Sequence, residues 1–327
     1  MVVWRCCGMK NFHVKFYENR KIYFTISLAI ILAGVIFNVI FGTALDIQFK
    51  GGAMINYTYS GEIDQSVVES KVEEVTGQNV DVRIYENMNQ DAEAAKNSVS
   101  ISFTGSQSIS IDVQKQIAEA LTKEYPDAGF AVSQSNSVDP TMGQSFFAKC
   151  LVAIAITFVL LIIYVGFRFR KIGGTSAGVM AIVALLHDVS IVYFVFVIFQ
   201  IPINDSFIAV VLTILGYSLN NTIIIYDRVR ENRRLLGPKA SYSELVNTSI
   251  NQTLTRSIYT TLCTFAAITS VFIVGMIFNI SSVMTFALPM MVGVVAGCYS
   301  SVCLAGPLYV MWQNHKQKKR LEAGAKA

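Results

Sequence analysis

"IYFTISLAIILAGVIFNVIFG", residues 22–42, runs for 21 positions without a charge. A helix needs about 20 apolar residues to cross the hydrocarbon of a bilayer, whereas the core of a cleavable signal has about 7–15. The stretch reads as an uncleaved first membrane helix, despite the basic residues before it (Arg5, Lys10, Lys15, Arg20, Lys21) and the "GTA" at its end. Five further runs are long enough to span: 150–167, 177–199, 207–226, 258–278 and 283–312. The last is overlong and holds Pro289 and Pro307, which predicts a tilt or kink. Only 15% of the residues are charged, against about a quarter in soluble domains. The fold class expected is an α-helical polytopic membrane protein with six transmembrane helices.

Charge orients the chain. Residues 43–145 hold 6 of the 26 basic residues but 15 of the 22 acidic ones, and no spanning run. Apart from Lys149, the other basic residues cluster in the arm 1–21, after the second run (Arg168, Arg170, Lys171), in the loop 227–257 and in the tail 313–327. Lys and Arg enrichment marks cytoplasmic sides. Both termini are therefore expected in the cytoplasm and residues 43–145 outside, with residues 146–312 forming a five-helix bundle. All six cysteines lie in the arm or the membrane runs, so the exported segment owes nothing to disulfides. Cys6 and Cys7 have no accompanying ligand pattern and read as incidental.

The exported segment alternates short units. "GAMINYTYS", "NVDVRIYE", "SVSISFTG" and "GFAVSQSNS" read as strands. A helix follows the first strand, with Asp64 as N-cap, Gly77 as stop and Val67, Val68, Val72 and Val75 on one face. Another precedes the fourth, with Val113, Ile117, Leu121 and Tyr125 as its stripe. The order β-α-β-β-α-β is that of a small α+β ferredoxin-like domain. It has no catalytic constellation and no Gly-rich phosphate loop, which argues for binding or movement rather than enzymatic chemistry. Nothing points to nucleic acid.

Polar residues inside the membrane runs are the functional candidates. Asp188 lies 11 residues from Phe199, about 17 Å of helix and near mid-bilayer. An ionisable residue there faces a bundle interior or water and is a functional candidate by default, or else a polar clasp between helices. His187 is its neighbour in sequence but points about 100° away on a helix. The next run contains "GYSLNNTIII", residues 216–225. Helical spacing groups Tyr217 and Ser218 with Asn221, and Gly216 with Asn220. Such a strip reads as a wet or ion-conducting seam, or as interhelical glue. Beyond it, Pro238 breaks the chain and "SYSE" (Ser241 to Glu244) opens a new amphipathic helix leading into the fifth span. Arg256, at that entry, either snorkels to the interface or reaches inward. In the last run Gly293, Gly297, Ser301 and Ala305 form a small-residue stripe for close helix approach, within the chain or to a partner.

Several motifs together resemble one family. They are "FKGG" (with Gly51 and Gly52), "VDPTMG" (with Pro140 and Gly143), "HDV" (His187 and Asp188), "GYSLNNTIIIYDRVREN" (with Gly216, Asp227 and Arg228) and "TLTRS" (with Arg256). In this order, across nearly the whole chain, they resemble SecF, the smaller membrane subunit of the SecD–SecF pair. SecF is in turn similar to one six-helix half of a resistance-nodulation-division (RND) transporter. The resemblance implies a SecD-like partner, the Sec translocon channel and unfolded preproteins, within a bacterial-type cytoplasmic membrane. It implies no cofactor beyond a proton or sodium gradient.

The departures bear on coupling. The family's fourth-helix motif usually reads G-Y-S-x-N-D, and its acid is a proton site paired with the arginine that Arg256 matches. Here the acid's position is Asn221, and a carboxamide does not titrate in the working range. The motif after helix one usually carries an acid where Gln48 stands, while Asp46 lies two residues earlier. Three readings follow: coupling through the partner's acid with Asn221 and Arg256 in support, sodium coupling through oxygen donors, or a non-coupled scaffold. An RND-like exporter half for small molecules or lipids is the alternative of another class.

Overall fold

The computed structural model describes residues 14–85, 97–104, 109–237, 240–278 and 280–324. Cys6, Cys7, the start of the basic arm, most of the polar stretch between the second and third strands, and Pro238 lie outside the described residues. Helix α1 (Arg20–Phe41) leads through a single turn, α2 (Ile47–Lys50), into the inserted domain. The domain runs β1 (Gly52–Tyr59), α3 (Gln65–Thr76), β2 (Val80–Tyr85), β3 (Asn97–Thr104), α4 (Ile111–Glu124) and β4 (Ala131–Val138). Its sheet is antiparallel in the order β2-β3-β1-β4, the arrangement of a split βαβ domain.

Local chemistry explains these elements. The Asp64 carboxylate accepts from Ser66 N (2.8 Å) at the start of α3, and Gly77 ends it at φ 66°. Ser110 caps α4 through Val113 N. The alternating strand residues Ile55, Tyr57, Val99, Ile101 and Phe103 meet Val68, Val72, Ile117 and Leu121 from the helices in one dry core. Val113 and Tyr125 lie at its margin.

The membrane helices follow as α5 (Pro140–Arg168), α6 (Gly174–Ile198), α7 (Asp205–Leu235) and α8 (Tyr242–Ile277). The last span is built from α9 (Ser281–Ser300), a π turn (Ser301–Ala305) and α10 (Gly306–Gly324). Six helices among the described residues are thus long and apolar enough to cross a membrane. Several extend beyond their apolar runs. Helix α5 begins ten residues before Cys150, because Asp139 caps it through Thr141 N (2.8 Å) and Pro140 occupies its first turn. Helix α8 is a single 36-residue helix, so the amphipathic segment opened by Ser241, whose Oγ accepts from Glu244 N (3.2 Å), has no break before the span. Pro289 stays inside α9, and the irregularity of the last span falls at the π turn, which ends two residues before Pro307.

The domain is tied to the bundle at one junction. Leu45 bridges Ile203, with Asp46 N donating to Ile203 O (3.0 Å) and Ile203 N to Ala44 O (2.8 Å). The Arg83 guanidinium donates to the Gln200 carbonyl in the same α6–α7 connection. Gln48 Oε1 accepts from Asp205 N (3.3 Å) at the start of α7, and Asp46 caps α2 through Gln48 N (3.0 Å). Gly51 and Gly52 take φ of 77° and 138°, which side chains rarely adopt. A Cβ on Gly143 would lie 2.9 Å from Gly51 N. The two motifs "FKGG" and "VDPTMG" therefore form one close backbone contact between α2 and the first turn of α5.

Hydrogen bonds from Thr141, through its hydroxyl and then its amide, hold the Asp139 carboxyl below the usual carboxylate range. A group depressed in the folded state stabilises above its unfolded value and loses that contribution as pH falls through the folded value. Asp139→Ala is expected to speed amide exchange at Thr141 and Met142 at neutral pH. Exchange of the unsubstituted chain should approach the variant's only in acid, as pH falls through the lowered value of the folded state.

Candidate functional site

Three helices converge on one carboxylate. Asp188 in the middle of α6 is fully buried, and its Oδ2 accepts from Ser218 Oγ of α7 (2.5 Å) and Ser300 Oγ of α9 (2.7 Å). Its Oδ1 lies 3.3 Å from His187 Nδ1. The helical offset expected to separate His187 from Asp188 does not prevent this 3.3 Å approach of the two side chains. The other face of the His187 ring meets Tyr299 (centroids 6.0 Å apart), whose hydroxyl lies 3.0 Å from Ser27 Oγ of α1. Asp188 thus collects polar groups from α7 and α9 and, through His187 and Tyr299, reaches α1.

Small residues allow this convergence. A Cβ on Gly297 would lie 3.0 Å from Ser218 Cβ, and one on Gly293 2.8 Å from the Ile214 side chain. Ser301 Oγ lies 2.7 Å from Gly297 O and 3.1 Å from Ser218 O, and Thr222 Oγ1 donates to Ser301 Oγ (3.0 Å). The small-residue stripe of the last span therefore packs on α7 of the same chain. The π turn begins at Ser301, and such one-turn bulges frequently accompany functional sites.

The segment "GYSLNN" does not form one seam. Ser218 and Asn221 face inward, Asn220 and Gly216 are exposed, and the Tyr217 hydroxyl donates to Thr261 Oγ1 of α8 (2.8 Å). Asn221 is fully buried, and neither polar atom of its carboxamide has a protein partner among the described residues. Helix α8 offers a second orphan, the buried Ser257 hydroxyl. The pairs Asn232–Ser249 (2.9 Å), Arg228–Gln252 (2.5 Å) and Tyr217–Thr261 set the antiparallel register of α7 on α8. That register places Asn221 and Ser257 in one layer. Unsatisfied buried groups each cost about 1–3 kcal/mol, so this layer is destabilised relative to a purely apolar one.

Arg256 does not reach inward to Asn221. It is exposed and, with Asp227, Arg228 and Thr253, lines an open cavity of about 820 Å³ at the basic end of the bundle. Asp227 pairs with Arg168 (3.2 Å) and Arg230 (3.0 Å), while no acid pairs with Arg256 among the described residues. Gly51, Gly52, Pro140 and Gly143 belong to the junction with the inserted domain, remote from Asp188. Among the described residues no three His, Cys, Asp or Glu side chains cluster as metal ligands would.

Sequence reasoning missed Ser300 and Ser257. Ser300 adjoins Ser301 of the stripe, and the pair "SS" in an otherwise apolar run was its available signal. Ser257 follows Arg256 in "TLTRS" and has no periodic mark of its own.

Fold and site together define a multi-pass membrane protein: six spans, a ferredoxin-like domain between the first two, and a buried carboxylate where three spans cross. The model of the family "Protein export membrane protein SecD/SecF, C-terminal" matches residues 116–315. SecF of Alicyclobacillus acidocaldarius is 31% identical over 302 residues, 91% of this chain and 92% of that protein. SecF of Sebaldella termitidis is 30% identical, covering 96% of each. SecDF of Bacillus subtilis is 31% identical over 93% of this chain, which spans 39% of that longer protein. A crystal structure of SecDF from Thermus, described as a translocon-associated membrane protein, superimposes with a TM-score of 0.78 at 26% identity, over 96% of this chain and 40% of that one. The chain belongs to the SecD/SecF family of protein export membrane proteins.

The shared acceptor sets a test of the site. Interhelical hydrogen bonds in membranes contribute about 0.6–2 kcal/mol each. Ser218→Ala and Ser300→Ala should each lower stability by about 1 kcal/mol in detergent-solubilised protein. Their double variant should depart from additivity by about 0.5 kcal/mol or more, because both hydroxyls serve one oxygen. Strict additivity in thermal unfolding would mean that the two hydroxyls act independently.

Proposed function

We propose that this chain is the SecF-type half of a Sec protein-translocation assembly. It pairs in the membrane with a SecD-type half and uses an ion gradient to drive movement of the inserted domain, which acts on preproteins emerging outside from the translocon channel. Family membership supports translocation over export of small molecules or lipids. The basic ends of the helices support a cytoplasmic location for that side and an extracytoplasmic one for the inserted domain. The absence of a catalytic constellation in the sequence supports a non-enzymatic role.

The observation that carries the coupling reading is the position of Arg256. It is a cation on an open face, without an acid of its own among the described residues, and it lines a cavity with Ile224 of α7, one helical turn beyond the exposed Asn220. A partner half can bring an acid to that face. In this arrangement the titrating or ion-binding carboxylate comes from the partner, Arg256 sets its charge environment, and Asn221 is a neutral buried support. Sodium coupling is the second reading, favoured by the unpartnered oxygens of Asn221 and Ser257 in one layer. Such neutral oxygens suit a hard cation, with a carboxylate completing the site.

The test is export into vesicles containing the chain, its SecD-type partner and the channel, with proton and sodium gradients collapsed separately. Arg256→Ala should reduce gradient-stimulated export at least tenfold while leaving basal transport intact. Asn221→Asp should change its pH or ion dependence. If export is indifferent to both substitutions, these positions are structural and the chain serves as a scaffold.

A further inference from the structure

At the basic end of the bundle, the start of α6 and the middle of α10 line an open cavity of about 380 Å³. Thr175, Ser176 and Val179 line it from α6; Trp312, His315, Lys316 and Lys319 line it from α10. The α10 residues are spaced 3, 1 and 3 apart, one helical face. Helix α6 begins at Gly174, after Gly173 in the left-handed region; no side chain caps it, and the Ser176 and Ala177 amides donate to the Gly173 carbonyl (2.9 and 3.1 Å). An uncapped helix start favours an anion. Ser176 supplies an independent sign of a ligand. It is only 4% exposed, it lines this cavity, and its hydroxyl has no hydrogen-bond partner among the described residues. Tyr309 and Gln313 instead occupy the Ile172 carbonyl, which a serine at this position would ordinarily use. No carboxylate lines the cavity, and neither Lys316 nor Lys319 has an acid partner among the described residues.

We propose that this cavity binds the phosphate of an anionic phospholipid headgroup. The hydroxyls of Thr175 and Ser176 donate to the phosphate oxygens, and Lys316 and Lys319 supply the charge. A lipid fits better than a free anion because the site continues into apolar surface. Val179, Val183 and Leu186 follow one another on the exposed side of α6, and Trp312 is half-exposed beside the first of them. Headgroup, interfacial aromatic ring and acyl track thus follow one another along a single groove. Tryptophan is enriched at this depth of a membrane.

The chain has two tryptophans, Trp4 and Trp312, so Trp4→Phe leaves Trp312 as the only reporter. The full chain in that background is reconstituted in phosphatidylcholine with rising fractions of brominated phosphatidylglycerol or brominated phosphatidylcholine. Trp312 emission should be half-quenched at a much lower fraction of the anionic lipid. Each juxtamembrane lysine is expected to contribute about fivefold, so adding Lys316→Gln and Lys319→Gln should raise that fraction about 25-fold. Ser176→Ala, a smaller perturbation, should raise it severalfold. Inorganic phosphate added to lipid-free micelles should leave the emission unchanged. Equal quenching by both lipids, or unaltered preference in the lysine double variant, overturns the proposal. A response to phosphate alone, without lipid preference, assigns the site to a soluble anion and also overturns it.

Discussion

The bundle depends on one carboxylate that is shared rather than paired. Asp188 is withdrawn from solvent, so its oxygens must be met by groups from neighbouring helices, and those groups determine where α7 and α9 can lie. Hydroxyls are short donors, and 2.5–2.7 Å bonds from Ser218 and Ser300 require the backbones to approach closely. Gly297 makes that approach possible, since any side chain there would strike Ser218. Polar demand and steric permission thus act at the same point. A hydrophobic replacement of either would leave the other without purpose.

Helix α7 separates two environments through a single turn of chain. Asn221 and Ser218 lie inside, Asn220 and Gly216 outside, and Tyr217 bridges to α8. Adjacent asparagines therefore have opposite surroundings. Asn221 is constrained by volume and by the absence of partners, whereas Asn220 is free to meet whatever lies against the helix. Toward the basic end, the same α7–α8 contact becomes fully satisfied, with Asn232, Ser249, Gln252 and Arg228 bonded to one another. The orphaned layer at Asn221 and Ser257 is a local exception in a well-bonded interface.

Much of this architecture was legible in the sequence because membranes impose simple rules. Length and hydropathy mark the spans, and period-two alternation marks the strands of the inserted domain. Side-chain caps such as Asp64 and Ser241 announce helix starts. What the sequence concealed was continuity: α5 and α8 both run past their apolar stretches, since a capped helix does not stop where hydropathy does. It also concealed which neighbours share a face across helices. Ser300 and Ser257 gain their significance only from the register of α9 and α8 against α6 and α7. His187 was expected to point away from Asp188, yet the two side chains approach to 3.3 Å.

The π turn at Ser301–Ala305 has a geometric consequence for everything that follows it. A π turn holds one residue more than an α turn, and one residue of helix corresponds to about 100° of rotation and 1.5 Å of rise. The final segment is therefore phased differently from α9, as two lengths of screw thread cut out of step. Stripes that α9 directs at α7 are not continued by α10, which turns Tyr309 and Gln313 to the Ile172 carbonyl and brings Trp312, His315, Lys316 and Lys319 opposite the start of α6. Deleting the extra residue would keep both segments helical while dialling the basic stripe onto a different neighbour.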